Sequence, residues 1–325
     1  MKKSGLFAAL TVLLAFSAGC SDWGSDPSSE SVPTAVAPAS DPGNSLARTG
    51  RGILVPEQGA LLGHFYGAGT VSDTDTRIGR KPAVHLSYYA WDDDWAASED
   101  TRADLADGRI PLVNWEPVDV SFDEIANGTQ DAVIRARADG AKALGTKFFL
   151  DFAAEMNEEE GWGGHDTKKY IAAYRHIHDV FVERGATNVI WAWCPNVTDS
   201  PESPPAMAYY PGDEYVDWTG VDGYNWGTSV ADFEWQSFSD VFADIYAKLA
   251  AKGKPIIIGE MASDEAGDSK ARWIDGVVPA LKTSFPLIRA VVWFDVDKER
   301  HWQIDSSPSS LVAYKNMVKN PYFNP

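Results

Sequence analysis

Eight apolar runs, each bounded by Gly, Pro, Asn or Asp, recur along the sequence and restrict what it can fold into. They are 60–67 (ALLGHFYG), 83–90 (AVHLSYYA), 110–115 (IPLVNW), 147–153 (KFFLDFA), 189–194 (VIWAWC), 218–224 (WTGVDGY), 255–259 (PIIIG) and 289–294 (RAVVWF). Most are near-continuously apolar rather than alternating, as strands buried on both faces are. Amphipathic segments with helical spacing fall between several of them, at 132–144, 170–182 and 241–251, and less regularly at 273–281 and 311–318. Buried strands alternating with helices predict an α/β fold with a parallel sheet covered on its outer face. Eight such units in roughly 270 residues have the count and size of a single-domain (β/α)8 TIM barrel. A doubly wound open sheet usually carries a Gly-rich phosphate turn after an early strand. The segment 64–69 (HFYGAG) lacks the third glycine at the right spacing.

The first 52 residues stand outside this pattern. Lys2 and Lys3 precede a short apolar run, then Ser17-Ala18-Gly19-Cys20, which reads as a secretory signal over 1–20. Small residues before Cys20 resemble a bacterial lipoprotein box, with Ser17 where leucine is usual and Cys20 as the lipid attachment. Residues 21–52 are rich in Ser, Pro, Ala and Gly and read as a flexible linker. The expected order is therefore signal, linker and a catalytic barrel over 53–325. The expected location is the bacterial cell envelope, lipid-anchored or secreted. With Cys20 used as anchor, Cys194 has no disulfide partner and reads as a small core residue.

Acidic residues number 47 against 28 basic ones, a net charge of −19. Such a chain repels phosphate backbones and acidic polymers, which excludes nucleic acid and favours a neutral partner. No metal or other cofactor is expected. His64 stands alone on the first strand where a metal-dependent barrel hydrolase would place two histidines, and the acidic runs at 73–75 and 92–94 read as solvated loops. No Gly-x-Ser-x-Gly elbow and no strand-end lysine appear.

In barrels of this kind chemistry is done where strands end at the C-terminal face. The fourth run leads into Glu155 and the seventh into Glu260. A glutamate directly after a buried strand is expensive to desolvate, and two at one barrel mouth can flank a glycosidic bond. Retaining hydrolysis needs them about 5–5.5 Å apart, one a nucleophile and the other a general acid/base. The chain also has 13 Trp and 12 Tyr. Several fall at expected strand ends: Tyr88, Tyr89, Trp91, Trp115, Trp162, Trp193, Tyr224, Trp226 and Trp293. Sugar rings stack on such faces.

Six segments together resemble glycoside hydrolase family 26, the β-mannanase-type (β/α)8 enzymes. They are IPLVNWEP (110–117), AEMN (154–157), VIWAWCPN (189–196), YYPGDEYVDWTGVDGYNW (209–226), KPIIIGE (254–260) and WFDVDKERHWQIDSS (293–307). The resemblance implies a retaining endo-β-glycan hydrolase, endo-1,4-β-mannanase-like first and a β-1,3- or mixed-linkage glucanase second. A glycan-binding surface lipoprotein with weakened catalysis is the reading from another class. The resemblance makes Glu155 the acid/base, Glu260 the nucleophile, Tyr224 its hydrogen-bond partner, Trp293 the floor under the cleaved sugar and Trp162 a rim platform. Trp115, Trp226, Asn157 and Asp151 complete the expected substrate-binding set, and a monomer is expected. The chain departs from the family pattern around the acid. Ala154 replaces the usual His, Asp151 the frequent Arg and Glu158 the usual Gly. Strand alternation predicts that Asp151 points the same way as Glu155, where a second carboxylate would either raise the acid's pKa or bind a sugar hydroxyl.

Overall fold

The computed structural model describes residues 52–323 apart from positions 68, 159, 160, 164 and 232. Cys20 and the expected signal lie outside them, as does nearly all of the linker. Eight strands run β1 (Leu61–Phe65), β2 (Val84–Ala90), β3 (Ile110–Glu116), β4 (Phe148–Phe152), β5 (Val189–Trp193), β6 (Trp218–Asn225), β7 (Ile256–Ser263) and β8 (Ile288–Phe294). They pair in sequence order, all parallel, and β8 closes on β1 through Leu61 opposite Ala290 to Phe65 opposite Phe294. This is the expected (β/α)8 barrel.

Eight helices surround it. They are α1 (Val71–Ile78), α2 (Glu99–Ala106), α3 (Phe122–Ala126), α4 (Asp131–Leu144), α5 (Thr167–Arg184), α6 (Phe238–Ala250), α7 (Lys270–Thr283) and α8 (Pro308–Val318). Five of them fall on the amphipathic segments. The other three are short, and α1 (VSDTDTRI) and α2 (EDTRADLA) are mostly polar. Capping marks their ends. Thr70 accepts from the Asp73 amide before α1, and Ser121 with Glu124 forms a capping box on α3. No α-helix separates β5 from β6, where the connection makes only a 3₁₀ turn at Ala206–Tyr209.

Two apolar layers hold the barrel. Val84, Leu86, Leu112, Phe149, Ile190 and Val292 fill its interior, each at most 2% exposed. The outer layer, between sheet and helices, takes the opposite residues of the same strands: Val113, Trp115, Leu150, Phe152, Trp191 and Trp293. Because both layers are apolar, composition does not mark which residue of a run faces inward.

Candidate active site

Glu260 is aimed by an irregularity in β7. Ile257 faces the interior and Ile258 the outer layer, so strict alternation would point Glu260 away from the mouth. The pairing with β6 instead steps from Val221 opposite Ile258 to Asp222 opposite Glu260, passing over Gly259. This extra residue is a β-bulge. It inverts the parity, turns Glu260 inward and sends Met261 to the outer layer. A side chain there would have to displace a buried neighbour, since a Cβ on Gly259 would stand 2.6 Å from Asp222 Oδ1 and touch Cys194 Sγ at 3.4 Å.

Two phenols hold the Glu260 carboxylate. Tyr88 donates to Oε1 from β2, and Tyr224 donates to Oε2 from β6. Burial raises the pKa of Glu260, while these two hydrogen bonds and the nearby Lys298 pull it back. Both tyrosines are themselves pushed well above the ordinary phenol range, by burial first and then by the Glu260 charge. They stay protonated as donors.

Glu155 is placed by a different device. β4 stops at Phe152, and Ala153 (φ 53°) and Glu155 (φ 55°) both adopt the left-handed region that side chains rarely enter. Neighbouring strand ends hold this turn. The Ala153 amide donates to Trp115 O at 3.1 Å and the Glu155 amide to Cys194 O at 2.8 Å. Strain of about 1–3 kcal/mol per such residue persists only where the surroundings over-determine the backbone, which is common at functional sites. Glu155 Oε1 accepts from Asn196 Nδ2 at 2.7 Å, and the same nitrogen donates to Glu158 Oε1 at 2.8 Å. Burial, then the charges of Glu158 and Glu260, keep the Glu155 pKa well above the usual carboxylate range.

Asn157 does not face a ligand. It is fully buried, donates Nδ2 to Asn196 O, Thr198 O and Asp199 Oδ1 at 3.0–3.2 Å, and accepts from the Asn196 amide at 2.8 Å. Its expected substrate contact is corrected to a clamp between the loops after β4 and β5. Asp151 does face the interior, but the left-handed turn at Ala153 and Glu155 breaks the strand alternation that would align it with Glu155. The carboxyls that weigh most on Glu155 are Glu158 and then Glu260. Asp151 sits beside Cys194 and Asp222, their ligand atoms within 4.8 Å of one another, the group among the described residues that could hold a cation. Burial pushes the Asp151 pKa to about 7. Burial, then Glu260, raises Asp222 well above the carboxylate range. Oδ1 of each lacks a hydrogen-bond partner. Both carboxyls are therefore easier to protonate than ordinary aspartates.

Two expected platforms are also corrected. Trp115 is fully buried in the outer layer, stacked on Trp91 at 4.4 Å, with Nε1 donating to Trp91 O. Trp293 is fully buried between Trp273 of α7 and Tyr314 of α8 at 5.8 and 5.2 Å. In each case the neighbour in sequence faces inward instead. Glu116 follows Trp115, and burial and Glu260 lift its pKa to about 7. Phe294 follows Trp293 and stacks on Phe65 at 4.9 Å. Tyr89, Trp91 and Trp193 likewise lie in the outer layer.

Tyr224, Trp226 and Trp162 do stand at the mouth. Trp302, from the loop after β8, packs on Tyr224 at 4.9 Å and on Trp226 at 5.2 Å. Arg300 lies over the Trp226 ring at 5.5 Å, and Trp162 is 36% exposed on the loop beyond Glu155. Beside them a cleft of about 540 Å³ runs between the loops after β6, β7 and β8, lined by Ser229, Asp264, Lys298, Glu299 and Arg300. Glu116, Asn196 and Phe294 are site-facing residues that strand-end reasoning did not single out, and Tyr88, read there as a stacking face, instead holds Glu260. His64, the lone histidine of β1, faces outward to Tyr314 Oη at 2.9 Å and Asp295 at 3.1 Å.

The pair is chemically asymmetric. Glu260 has two donors that favour its anion, whereas Glu155 shares one amide with a second carboxyl and holds its proton more tightly than an ordinary glutamate. Two carboxyls in such opposed settings at one mouth, ringed by aromatics, suit displacement at an acetal carbon.

The sequence signature of glycosyl hydrolase family 26 matches residues 148–307. Endoglucanase H of Acetivibrio thermocellus is 37% identical over 290 residues, covering 86% of this chain and 32% of that protein. A beta-1,3-xylanase of a Vibrio species is 26% identical over 222 residues, 64% of this chain and 46% of that one. The chain thus spans about a third to a half of these relatives' lengths. Among solved structures, a GH26 beta-mannanase from Bacteroides ovatus superposes with a TM-score of 0.60 at 18% identity, covering 82% of this chain and 90% of that one.

Proposed function

Since the chain belongs to glycosyl hydrolase family 26, we propose that it is a retaining endo-β-glycan hydrolase with Glu260 as nucleophile and Glu155 as acid/base. The observation that carries this reading is the opposed setting of the two carboxyls. Two phenols favour the anion of Glu260, and burial with two neighbouring carboxylates favours the protonated form of Glu155. In the first step the Glu260 carboxylate attacks the anomeric carbon while Glu155 gives its proton to the departing glycosidic oxygen. In the second, Glu155 takes a proton from water, the water oxygen attacks the same carbon, and the Glu260 ester bond breaks. Tyr224, Trp226 and Trp162 supply sugar-stacking faces, with the buried Trp302 backing the first two, and the cleft after β7 and β8 gives a polymer room to run past the mouth. No cofactor enters either step.

A net charge of −19 favours a neutral polymer. The family resemblance points first to a β-1,4-mannan. One observation favours a β-glucan instead: the 37% identity to an endoglucanase runs through 86% of the chain. Incubation with β-1,4-mannan, mixed-linkage and β-1,3-glucan and β-1,3-xylan, scored by reducing ends, separates these. Glu260→Ala is the control. Release on none of the polymers favours a glycan-binding module, and release that persists in the control refutes the mechanism.

The chain is further proposed to act as a monomer at the bacterial cell envelope, held by a lipid on Cys20 or secreted. Labelled palmitate incorporated by the wild type and lost in Cys20→Ala supports the anchor, and no incorporation refutes it.

A further inference from the structure

Glu158 stands three residues beyond the acid, a carboxyl that the mechanism above does not use. Hydrogen bonds of its backbone hold it in place. The Glu158 amide donates to Glu155 O at 3.1 Å, and its carbonyl accepts from the Gly161 amide at 3.1 Å and from Ser203 Oγ at 3.0 Å. The Asn196 side chain has one orientation available, because its Oδ1 accepts from the Thr198 amide at 2.9 Å. Nδ2 is thereby turned to the two carboxyls, one hydrogen to Glu155 Oε1 and one to Glu158 Oε1. Two carboxyls on one amide nitrogen cannot both ionise without facing each other's charge.

We propose, on the retaining-hydrolase reading above, that Glu158 is a positioning residue whose carboxylate, tied to Glu155 through Asn196, keeps the catalytic proton on Glu155. Groups from every neighbouring element face this pair. Glu260 approaches from β7, Asp222 and Tyr224 from β6 and Tyr88 from β2, with Lys298 and Glu299 from the loop after β8. Lys298 favours ionisation of Glu155, while Glu260 and Glu158 oppose it. Of the two opposing anions, Glu260 must be present for the attack and is consumed by it, when its carboxylate becomes an ester. Glu158 is the anion still present in the second step. It therefore also makes Glu155 a stronger base when water must be deprotonated. Burial holds Glu158 itself near a pKa of about 7, so its influence grows from neutral pH upward.

The test is Glu158→Gln, which keeps an acceptor for Asn196 and removes the charge. Loss of a neighbouring anion makes Glu155 easier to ionise, so the alkaline limb of kcat/KM moves down by about one pH unit. Activity on that limb falls about tenfold, while Glu158→Asp, which keeps the charge, moves it less. In parallel, carbon-13 carboxyl titration by NMR follows Glu155 without substrate, and its midpoint falls by a similar amount in Glu158→Gln. An alkaline limb and a Glu155 midpoint both unmoved in Glu158→Gln overturn the proposal, even if kcat drops at every pH. If the wild type cleaves no glycan yet the Glu155 midpoint moves, the tie between the two carboxyls stands and the hydrolase reading fails.

Discussion

Gly259→Ala tests whether a single bulge aims the nucleophile. Gly259 is not in the left-handed region, so the substitution probes space rather than backbone strain. The new methyl would lie 2.6 Å from Asp222 Oδ1, inside a relaxed contact by about 0.8 Å. Asp222 is 1% exposed and the second neighbour is the fully buried Cys194, so neither side can retreat into solvent. The bulge has to move instead, carrying Glu260 with it. Overpacking of this kind costs about 1–3 kcal/mol, a fall of about 3–10 °C in Tm for a domain of this size. The catalytic loss is larger, because displacement of a reacting group by about 1 Å costs on the order of 100-fold. Reducing-end release and thermal unfolding are measured side by side on wild type and variant. A Tm loss with near-normal kcat would refute the reasoning, since Glu260 would then be aimed by something other than the bulge.

Tyr88→Phe removes one of the two phenols on Glu260. A hydrogen bond to a charged group contributes about 1.5–3 kcal/mol, so the Glu260 pKa rises by about one to two units. Glu260 must be ionised to attack, so the acid limb of kcat/KM moves to higher pH, and an unmoved limb would place Tyr88 outside the mechanism. Trp115→Ala and Trp226→Ala separate core from platform. Loss of the buried Trp115 costs about 3–5 kcal/mol of stability, seen as a lowered Tm, with KM nearly unchanged. Loss of Trp226 at the mouth raises KM about tenfold with little change in Tm. The reverse pattern would restore Trp115 as a sugar contact.

These contrasts also show what the sequence makes legible. The run 110–115 was visible as a strand because it is apolar on both faces, and for the same reason it conceals which face is which. Trp115 and Trp293 look like platforms, yet they fill the helix-facing layer, and the inward positions belong to Glu116 and Phe294. A one-residue shift in parity reverses the role of every side chain in such a run. Glu155 and Glu260 were legible because a glutamate directly after an apolar run is costly in either parity. How they are aimed was not. The bulge at Gly259 depends on its contact with Asp222, 37 positions earlier in the chain, and the turn at Ala153 on bonds from Trp115 and Cys194. Helices α1 and α2 escaped because each is only eight residues long with few apolar residues, and their ends are set by caps instead. Asn157 shows another limit. A buried amide clamping two loops and an exposed one reading a sugar look the same in sequence.

The account stands on the division of labour between Glu260 and Glu155, and the stereochemistry of the first product tests it most directly. Proton NMR during hydrolysis of whichever polymer is cleaved resolves the new reducing end before it mutarotates. Attack by Glu260 followed by water activated at Glu155 inverts the anomeric carbon twice, so the β-anomer appears first and the α-anomer grows in later. An α-anomer formed first would mean a single displacement by water, and would contradict the assignment of Glu260 as nucleophile.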